Sequence, residues 1–235
     1  IRDSNNAIGY RSLYNNTTGV NNNAIGTNAL RENTTGVENS AFGTYALINN
    51  TTGSRNTAVG MESLYYNNVG NNNSAFGYQA LLNNTTNNNS AFGYEALKAN
   101  TTGTGNSAFG LQALKNSTIA GYNSAFGYAA MFTNTTGGNN TAVGFYALFN
   151  NTIGYANAAV GVEALKANTT GITNSAFGSK SLISNTIGSN NSAFGYNAGS
   201  AVTTGTNLTI IGYNAAASAV GATNEVTLGN LSLIH

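Results

Sequence analysis

The sequence lacks cysteine altogether and is poor in charge, since only 6% of its 235 residues are charged. Without cysteine, a disulfide framework, a thiol nucleophile and a thiolate metal site are excluded. The eight lysines and arginines are scattered singly, and the formal net charge is +1. A basic stripe of the kind that binds nucleic acid or an anionic membrane is therefore missing, and no nucleic-acid partner is predicted.

Long apolar runs and acid–base groups are also missing. No run approaches the roughly 18 apolar residues of a membrane span, so no membrane insertion is predicted for this segment. The single histidine is the last residue, His235, the single aspartate is Asp3, and the six glutamates are spread over several positions of the repeat described below. These residues offer neither a carboxylate pair nor a metal cluster. The sequence therefore predicts no enzyme, no catalytic or metal site and no cofactor.

Glycine, by contrast, recurs along the whole chain with an almost constant spacing. Successive landmark glycines are 17 residues apart, except for one step of 16 between Gly77 and Gly93. A fixed short period is the signature of a solenoid, in which each repeat packs on its neighbours. The landmark glycines are Gly9, Gly26, Gly43, Gly60, Gly77, Gly93, Gly110, Gly127, Gly144, Gly161, Gly178, Gly195, Gly212 and Gly229.

Each repeat follows the pattern of residues 39–55, Asn-Ser-Ala-Phe-Gly-Thr-Tyr-Ala-Leu-Ile-Asn-Asn-Thr-Thr-Gly-Ser-Arg. A large apolar residue precedes the landmark glycine, and a leucine follows it four residues later. Because these two positions recur in nearly every repeat, we predict that they form the core ladder of the fold. The predicted core ladder consists of Phe42, Phe76, Phe92, Phe109, Phe126, Phe177 and Phe194 with Leu47, Leu81, Leu97 and Leu114.

Frequent Gly and Asn and the lack of a long helical stripe exclude helices, and the absence of Asn-Gly and Asp-Gly dipeptides disfavours hairpins. We therefore predict an all-β fold, a parallel β-solenoid of about fourteen 17-residue coils. Each coil is expected to contain two short strands and a third extended piece at the Thr pair. Residues 1–206 are predicted to form the regular coils, and residues 207–235 divergent C-terminal coils, a cap or a transition segment.

An asparagine stands four residues before almost every landmark glycine. Stacked coils would place these side chains over one another, so that each amide could donate to and accept from its neighbours. Asparagine is also a common turn former, because it tolerates left-handed backbone, and the sequence leaves both interpretations open. The predicted ladder includes Asn39, Asn56, Asn73, Asn89, Asn106, Asn123 and Asn140.

The outer surface is predicted from the positions that vary. Residues two places after the landmark glycine differ freely and are expected to be exposed; they include Arg11, Tyr45, Glu62, Gln79, Glu95, Gln112 and Lys180. Alanine and phenylalanine, in contrast, recur side by side on opposite faces of one strand. Neither face of that strand behaves as a free solvent face, so we predict an obligate homo-oligomer.

The array begins at Asn5 without a polar cap, although solenoid ends normally have one. Either the chain continues upstream, or subunits join end to end into a filament. The chain starts with Ile1 rather than Met, which indicates a processed product or a part of a longer protein.

The motif at Asn5–Gly9, Asn22–Gly26 and Asn140–Gly144 resembles the head repeats of trimeric autotransporter adhesins, which read roughly Asn-Ser-Val-Ala-Ile-Gly. The resemblance implies a left-handed β-roll, a homotrimer and an adhesive surface outside the cell. The period of 17 is longer than usual in that family, and Ser or Thr stands where Val is usual. The Asn-Thr-Thr-Gly arrays also resemble those of viral tail-fibre and spike proteins.

The leading functional hypothesis is a structural or adhesive fibre segment at a cell or virion surface, with itself and a host surface or glycan receptor as partners. Tyr10, Tyr45, Tyr65, Tyr66 and Tyr146 are candidate contacts for sugars or for another protein, and the alternative for most of them is plain packing between coils.

The alternative is an ice-binding solenoid, because the Thr pairs form a regular array. The pairs include Thr17–Thr18, Thr51–Thr52 and Thr101–Thr102. Ile or Val at the second Thr position of several repeats predicts that this position points inward, which leaves one Thr row instead of two.

Overall fold

The computed structural model describes residues 4–229. The chain divides into two compact units, residues 1–120 and 121–235, and each unit contains seven three-residue strands. The first unit contains β1 Asn6–Ile8, β2 Asn23–Ile25, β3 Ser40–Phe42, β4 Thr57–Val59, β5 Ser74–Phe76, β6 Ser90–Phe92 and β7 Ser107–Phe109. The second contains β8 Ser124–Phe126, β9 Thr141–Val143, β10 Ala158–Val160, β11 Ser175–Phe177, β12 Ser192–Phe194, β13 Thr209–Ile211 and β14 Val226–Leu228. No helix occurs between residues 4 and 229.

Within each unit, every strand pairs in parallel with the next strand of the chain. The register follows the sequence period, so that Ala41 lies opposite Ala58 and Phe42 opposite Val59. At the shorter step, Ser74 lies opposite Ser90 and the register is kept. The predicted parallel β-solenoid with a 17-residue repeat is therefore confirmed. The predicted boundary at residue 206 stays a prediction.

Each coil contains one strand, not the predicted two strands and an extended Thr segment, because turns occupy the remainder. The Gly43 carbonyl accepts a hydrogen bond from the Ala46 N–H (3.3 Å), and the Leu47 carbonyl accepts one from the Asn50 N–H (3.1 Å). The turns also bond to the neighbouring coil, since the Leu47 N–H donates to the Ser63 carbonyl (3.0 Å). Main-chain pairing between coils thus continues beyond the short strands and satisfies backbone groups that would otherwise be unpaired.

Left-handed backbone at fixed positions makes this tight coil. In the coil that begins at Gly43, Tyr45, Leu47 and Arg55 all have φ between 50° and 61°. The conformation costs about 1–2 kcal/mol per non-glycine residue, which explains why a leucine would not be expected there from its own preference. Gly43 itself has φ of 141°, where an L side chain is strongly strained.

The core of each coil is narrow and contains the predicted leucines but not the phenylalanines. Leu47, Leu81, Leu97 and Leu114 are completely buried, together with the alanine two residues before most landmark glycines, such as Ala41. Because side chains alternate across a strand, the inward alanine forces the next residue outward. Phe42, Phe126, Phe177 and Phe194 are 38–42% exposed, and Phe76, Phe92 and Phe109 are half-buried. The phenylalanine part of the predicted core ladder is wrong: these rings lie on the outer face of the sheet.

The predicted asparagine ladder is a buried hydrogen-bond network just before the strands. The Asn56 N–H donates to Asn39 Oδ1 (3.0 Å), and Asn56 Nδ2 donates to the Gly70 carbonyl (2.7 Å). In the second unit, the Asn140 N–H donates to Asn123 Oδ1 (2.9 Å). The structure buries every asparagine of the predicted ladder; these are Asn39, Asn56, Asn73, Asn89, Asn106, Asn123 and Asn140.

A second buried ladder, which the sequence analysis missed, is formed by the asparagine that precedes each Thr pair. Asn50 Nδ2 donates to Asn33 Oδ1 (2.8 Å) and to the Gly53 carbonyl (2.9 Å), and Asn67 Nδ2 continues to Asn50 Oδ1 (3.1 Å). The recurrence of asparagine at this position in most repeats was the available signal. The ladder is interrupted where Ser117 replaces asparagine, because its side chain is too short: Ser117 Oγ and Asn100 Oδ1 are buried without a partner within residues 4–229.

Ser117→Asn is expected to raise the free energy of unfolding by about 1 kcal/mol, because the new amide can donate to Asn100 Oδ1 and the unpartnered Ser117 hydroxyl is removed. The opposite change at an intact position, Asn50→Ser, is expected to lower it by about 2 kcal/mol, because it leaves buried amide groups unpaired. Denaturant unfolding of the two variants beside the wild type measures both effects. A neutral or destabilising Ser117→Asn variant would show that the second ladder contributes little to stability.

Candidate binding surfaces

Two outward-facing rows of side chains are largely apolar. In each unit, one row consists of the residues just before the landmark glycines and a second row of the residues just after them; we call the two rows of a unit its apolar face. In the first unit the exposed members are Ile8, Ile25 and Phe42 before the glycines and Tyr10, Met61, Tyr78, Tyr94 and Leu111 after them. In the second unit they are Phe126, Val143, Phe177, Phe194, Ile211 and Leu228 before the glycines and Tyr128, Phe145, Val162, Tyr196 and Tyr213 after them.

Aromatic rings on the apolar face stack coil on coil because the register repeats. The ring centroids of Phe76 and Phe92 are 4.6 Å apart with planes 8° from parallel, and Phe177 and Phe194 stack at 5.1 Å. Tyr78 and Tyr94 form a similar pair at 5.2 Å. The stacked rings thus cover part of each other's faces. Monomeric proteins rarely expose large contiguous apolar patches, which usually mark interaction sites.

The threonine pairs form two rows with different roles. The hydroxyl group of the first threonine forms a hydrogen bond to the next coil. Thr34 Oγ1 donates to the Thr51 carbonyl (2.9 Å), and Thr152 Oγ1 donates to the Thr169 carbonyl (3.0 Å). The second position faces outward, and it remains exposed where Ile or Val replaces threonine, as in Ile119 at 56%. The prediction that this position points inward is therefore wrong. The inference relied on apolar character alone, and the turn directs these side chains to solvent.

The carboxylate of Glu95 forms ion pairs with two lysines. It was predicted to be exposed but is only 7% exposed, because three long side chains cover it. Lys98 Nζ lies 2.6 Å and Lys115 Nζ 2.7 Å from its carboxylate oxygens, and Gln112 Nε2 donates to Oε2 (3.1 Å). Burial by itself raises the pKa of Glu95, but hydrogen bonds from Lys115, Lys98 and Gln112 outweigh it and lower the pKa from 4.5 to about 2.

Glu95→Gln is expected to lower the free energy of unfolding by about 1–2 kcal/mol at pH 7, because two ammonium groups lose their anion. Since the pKa of Glu95 falls from 4.5 to about 2 on folding, its contribution is complete above pH 4.5 and is lost as the pH falls towards 2. The gap in unfolding free energy between wild type and variant should therefore close across this window in denaturant titrations.

Glu38→Gln is the control, because Glu38 pairs with Arg55 at an exposed site (3.3 Å) and should change stability by less than about 0.5 kcal/mol. A gap between wild type and Glu95→Gln that stays constant down to pH 2.5 would contradict the assignment.

A groove of 260 Å³ lies beside another carboxylate of the first unit and is lined by Glu62, Tyr65, Tyr66, Gln79 and Leu82. Gln79 Nε2 donates to Glu62 Oε2 (2.6 Å). The rings of Tyr65 and Tyr66 pack edge to face with their centroids 4.6 Å apart, and the rings of Tyr45 and Tyr65 do so with centroids 6.4 Å apart. Three of the tyrosines predicted as contact residues are thus brought together. Tyr10 lies on the apolar face of the first unit and Tyr146 in the second unit, beside Phe145 and Phe149.

Other kinds of site are not found in the part of the chain that the structure describes. Residues 4–229 contain no group of three His, Cys, Asp or Glu side chains that could hold a metal ion. Nor do they include a helix with the length and apolar character needed to span a membrane. Asp3 and His235 lie outside the described residues.

Comparison of the chain with models of protein families, with curated proteins and with solved structures found no match.

Proposed function

We propose that the chain is a structural, adhesive fibre segment that associates with further copies of itself through its apolar face. The observation that carries this proposal is the stacked, exposed apolar face of each unit. Phe177, for example, stacks on the ring of Phe194 with ring centroids 5.1 Å apart and yet remains 38% exposed. Association would remove this surface from water, at about 25 cal/mol for each Å² of apolar area.

The repeat supports a copy of the same chain as the occupant. Because a large apolar side chain precedes the landmark glycine in every coil, the apolar face has a regular spacing along each unit that a second copy matches. The resemblance to trimeric adhesins makes three chains the proposed number, with a location at a cell or virion surface. The outward tyrosines and threonines would then remain available to a host surface or glycan receptor.

Sedimentation at micromolar concentration tests the self-association. We expect an oligomer for the wild type and a shift towards monomer for Phe177→Glu, which places a charge on the apolar face. Ile187→Glu is the matched control: Ile187 lies in the same coil and is exposed in the second threonine row, and its replacement should leave the oligomer unchanged. A monomeric wild type, or equal behaviour of the two variants, would contradict the proposal.

Ice binding is a second candidate, favoured by the outward direction of the second threonine row. Thr18, Thr35 and Thr52 are exposed in successive coils, with the roughly 4.8 Å spacing of parallel strands. Thermal hysteresis in dilute solution separates the two candidates. Appreciable hysteresis would support ice binding, and none is expected from a fibre segment.

A further inference from the structure

An ammonium group of the chain itself occupies a defined site in the second unit. Lys166 Nζ lies 2.6 Å from Glu163 Oε1 and 5.3 Å from the ring centroid of Tyr146. Glu163 and Tyr146 stand two residues after successive landmark glycines, and Lys166 stands five residues after its own. A cation held between a carboxylate and an aromatic ring gains from both charge pairing and the cation–π attraction.

The corresponding three positions in the first unit lack the lysine. Tyr45 and Glu62 occupy the positions of Tyr146 and Glu163, but Tyr65 stands at the position of Lys166. No lysine or arginine within residues 4–229 forms an ion pair with Glu62. The groove of 260 Å³ opens beside this carboxylate. The Glu95 site differs again, because two lysines already fill it.

We propose that this groove binds an alkylammonium group supplied by a ligand, which pairs with Glu62 as Lys166 pairs with Glu163 in the second unit. Glu62 supplies the anion, and the Gln79 amide, 2.6 Å from Oε2, holds the carboxylate in position. Tyr65 and Tyr66, at 66° to each other, provide two aromatic surfaces for the carbon groups on the nitrogen. Leu82 is the apolar aliphatic residue of the lining.

This site goes beyond the proposed self-association and does not depend on it, because the groove uses turn residues and no member of the apolar face. The shared chemistry is a positively charged nitrogen on a short carbon chain. A primary amine, as in a lysine side chain, and a quaternary amine, as in choline, are its two sources. Binding to one exposed site of this size is expected in the millimolar range.

The chain offers an internal control for the test, because its only two glutamines are Gln79 and Gln112. In protein labelled with 15N at glutamine side chains, NMR titration with n-butylammonium and with choline should shift the Gln79 amide in a saturable way. The Gln112 amide should stay unchanged, since it bonds to the already paired Glu95. The stronger of the two ligands identifies the source, and 3,3-dimethylbutanol, the uncharged analogue of choline, should not bind.

Two variants test whether the ligand's ammonium group pairs with Glu62. Tyr65→Lys supplies the missing ammonium and should abolish ligand binding, and Glu62→Gln should weaken it at least about tenfold because the anion is lost. Glu38→Gln removes an equal charge elsewhere and should leave binding unchanged. Absence of a saturable shift in the wild type, equal binding of the uncharged analogue, or undiminished binding by Tyr65→Lys would overturn the proposal. The wild-type comparison of charged and uncharged ligands does so even if a variant fails to fold.

Discussion

Gly43→Ala is expected to lower the free energy of unfolding by about 3 kcal/mol or more, which would be among the largest effects of any single change in the chain. The φ of Gly43 is 141°, and an added Cβ would lie 2.7 Å from the carbonyl oxygen and 2.8 Å from the carbonyl carbon of Gly60. The backbone of Gly60 has no freedom to retreat, because its N–H donates to the Phe42 carbonyl (2.8 Å). The methyl group therefore breaks the contact between two coils.

Gly221→Ala is the matched control for this prediction. Gly221 is exposed, its φ is not in the left-handed range, and the nearest atom to an added Cβ is the side-chain oxygen of Thr204 at 3.2 Å. A flexible side chain can move aside, so a change within about 0.5 kcal/mol is expected. Thermal or denaturant unfolding measures both variants. Similar, small effects at Gly43 and Gly221 would mean that the close approach of coils at the landmark glycine is not required.

Leu97→Ala is expected to lower the free energy of unfolding by about 3–4 kcal/mol, as for other fully buried leucines. Leu97 is completely buried in its coil, and the coil is so narrow that one leucine is its only large core side chain. Its φ is 51°, and the substitution does not remove this backbone strain, because alanine is strained there as well. The cavity would lie within the stack, where neighbouring coils are held in register by their main chains.

Leu111→Ala tests whether burial causes this effect. Leu111 belongs to the apolar face and is 42% exposed, so its truncation should cost the folded chain less than about 1 kcal/mol. Denaturant unfolding with a common slope for the variants gives the comparison. Equal losses at Leu97 and Leu111 would contradict the division of each coil into a leucine core and an exposed apolar face.

The period could be read from the sequence because it is a property of the chain: landmark glycines 17 residues apart predict stacked coils, and Asn39 and Asn56 predict a ladder. The direction of Phe42 could not be read in this way. Because side chains alternate across a strand, either Phe42 or Ala41 can point into the coil, and the hydrophobicity of phenylalanine wrongly favoured Phe42. The narrow interior of the coil decides between them, since it accepts Ala41 but has no room for an aromatic ring beside Leu47.

The remaining features lie in the turns and could not be predicted from the sequence pattern. Leu47 adopts left-handed backbone against its own preference because burial in the coil offsets the strain, and no local signal marks this. Glu95 is covered by Lys115 and Gln112 from the next coil, so its burial depends on which turn residues stack. The groove beside Glu62 became visible only through comparison with Glu163, since Tyr65 replaces a lysine that other coils contain.

The most direct test of stacking in register is a set of distances between spin labels, which the absence of cysteine makes specific. Within the first unit, Thr18→Cys combined with Thr35→Cys joins neighbouring coils, and Thr18→Cys with Thr102→Cys joins coils five steps apart. At about 4.8 Å for each step, the label separations should be about 5 Å and about 24 Å, measured by electron paramagnetic resonance in samples diluted with unlabelled chain. A Thr18–Thr102 distance far above 24 Å, or no strong coupling between Thr18 and Thr35, would contradict the parallel stacking of 17-residue coils.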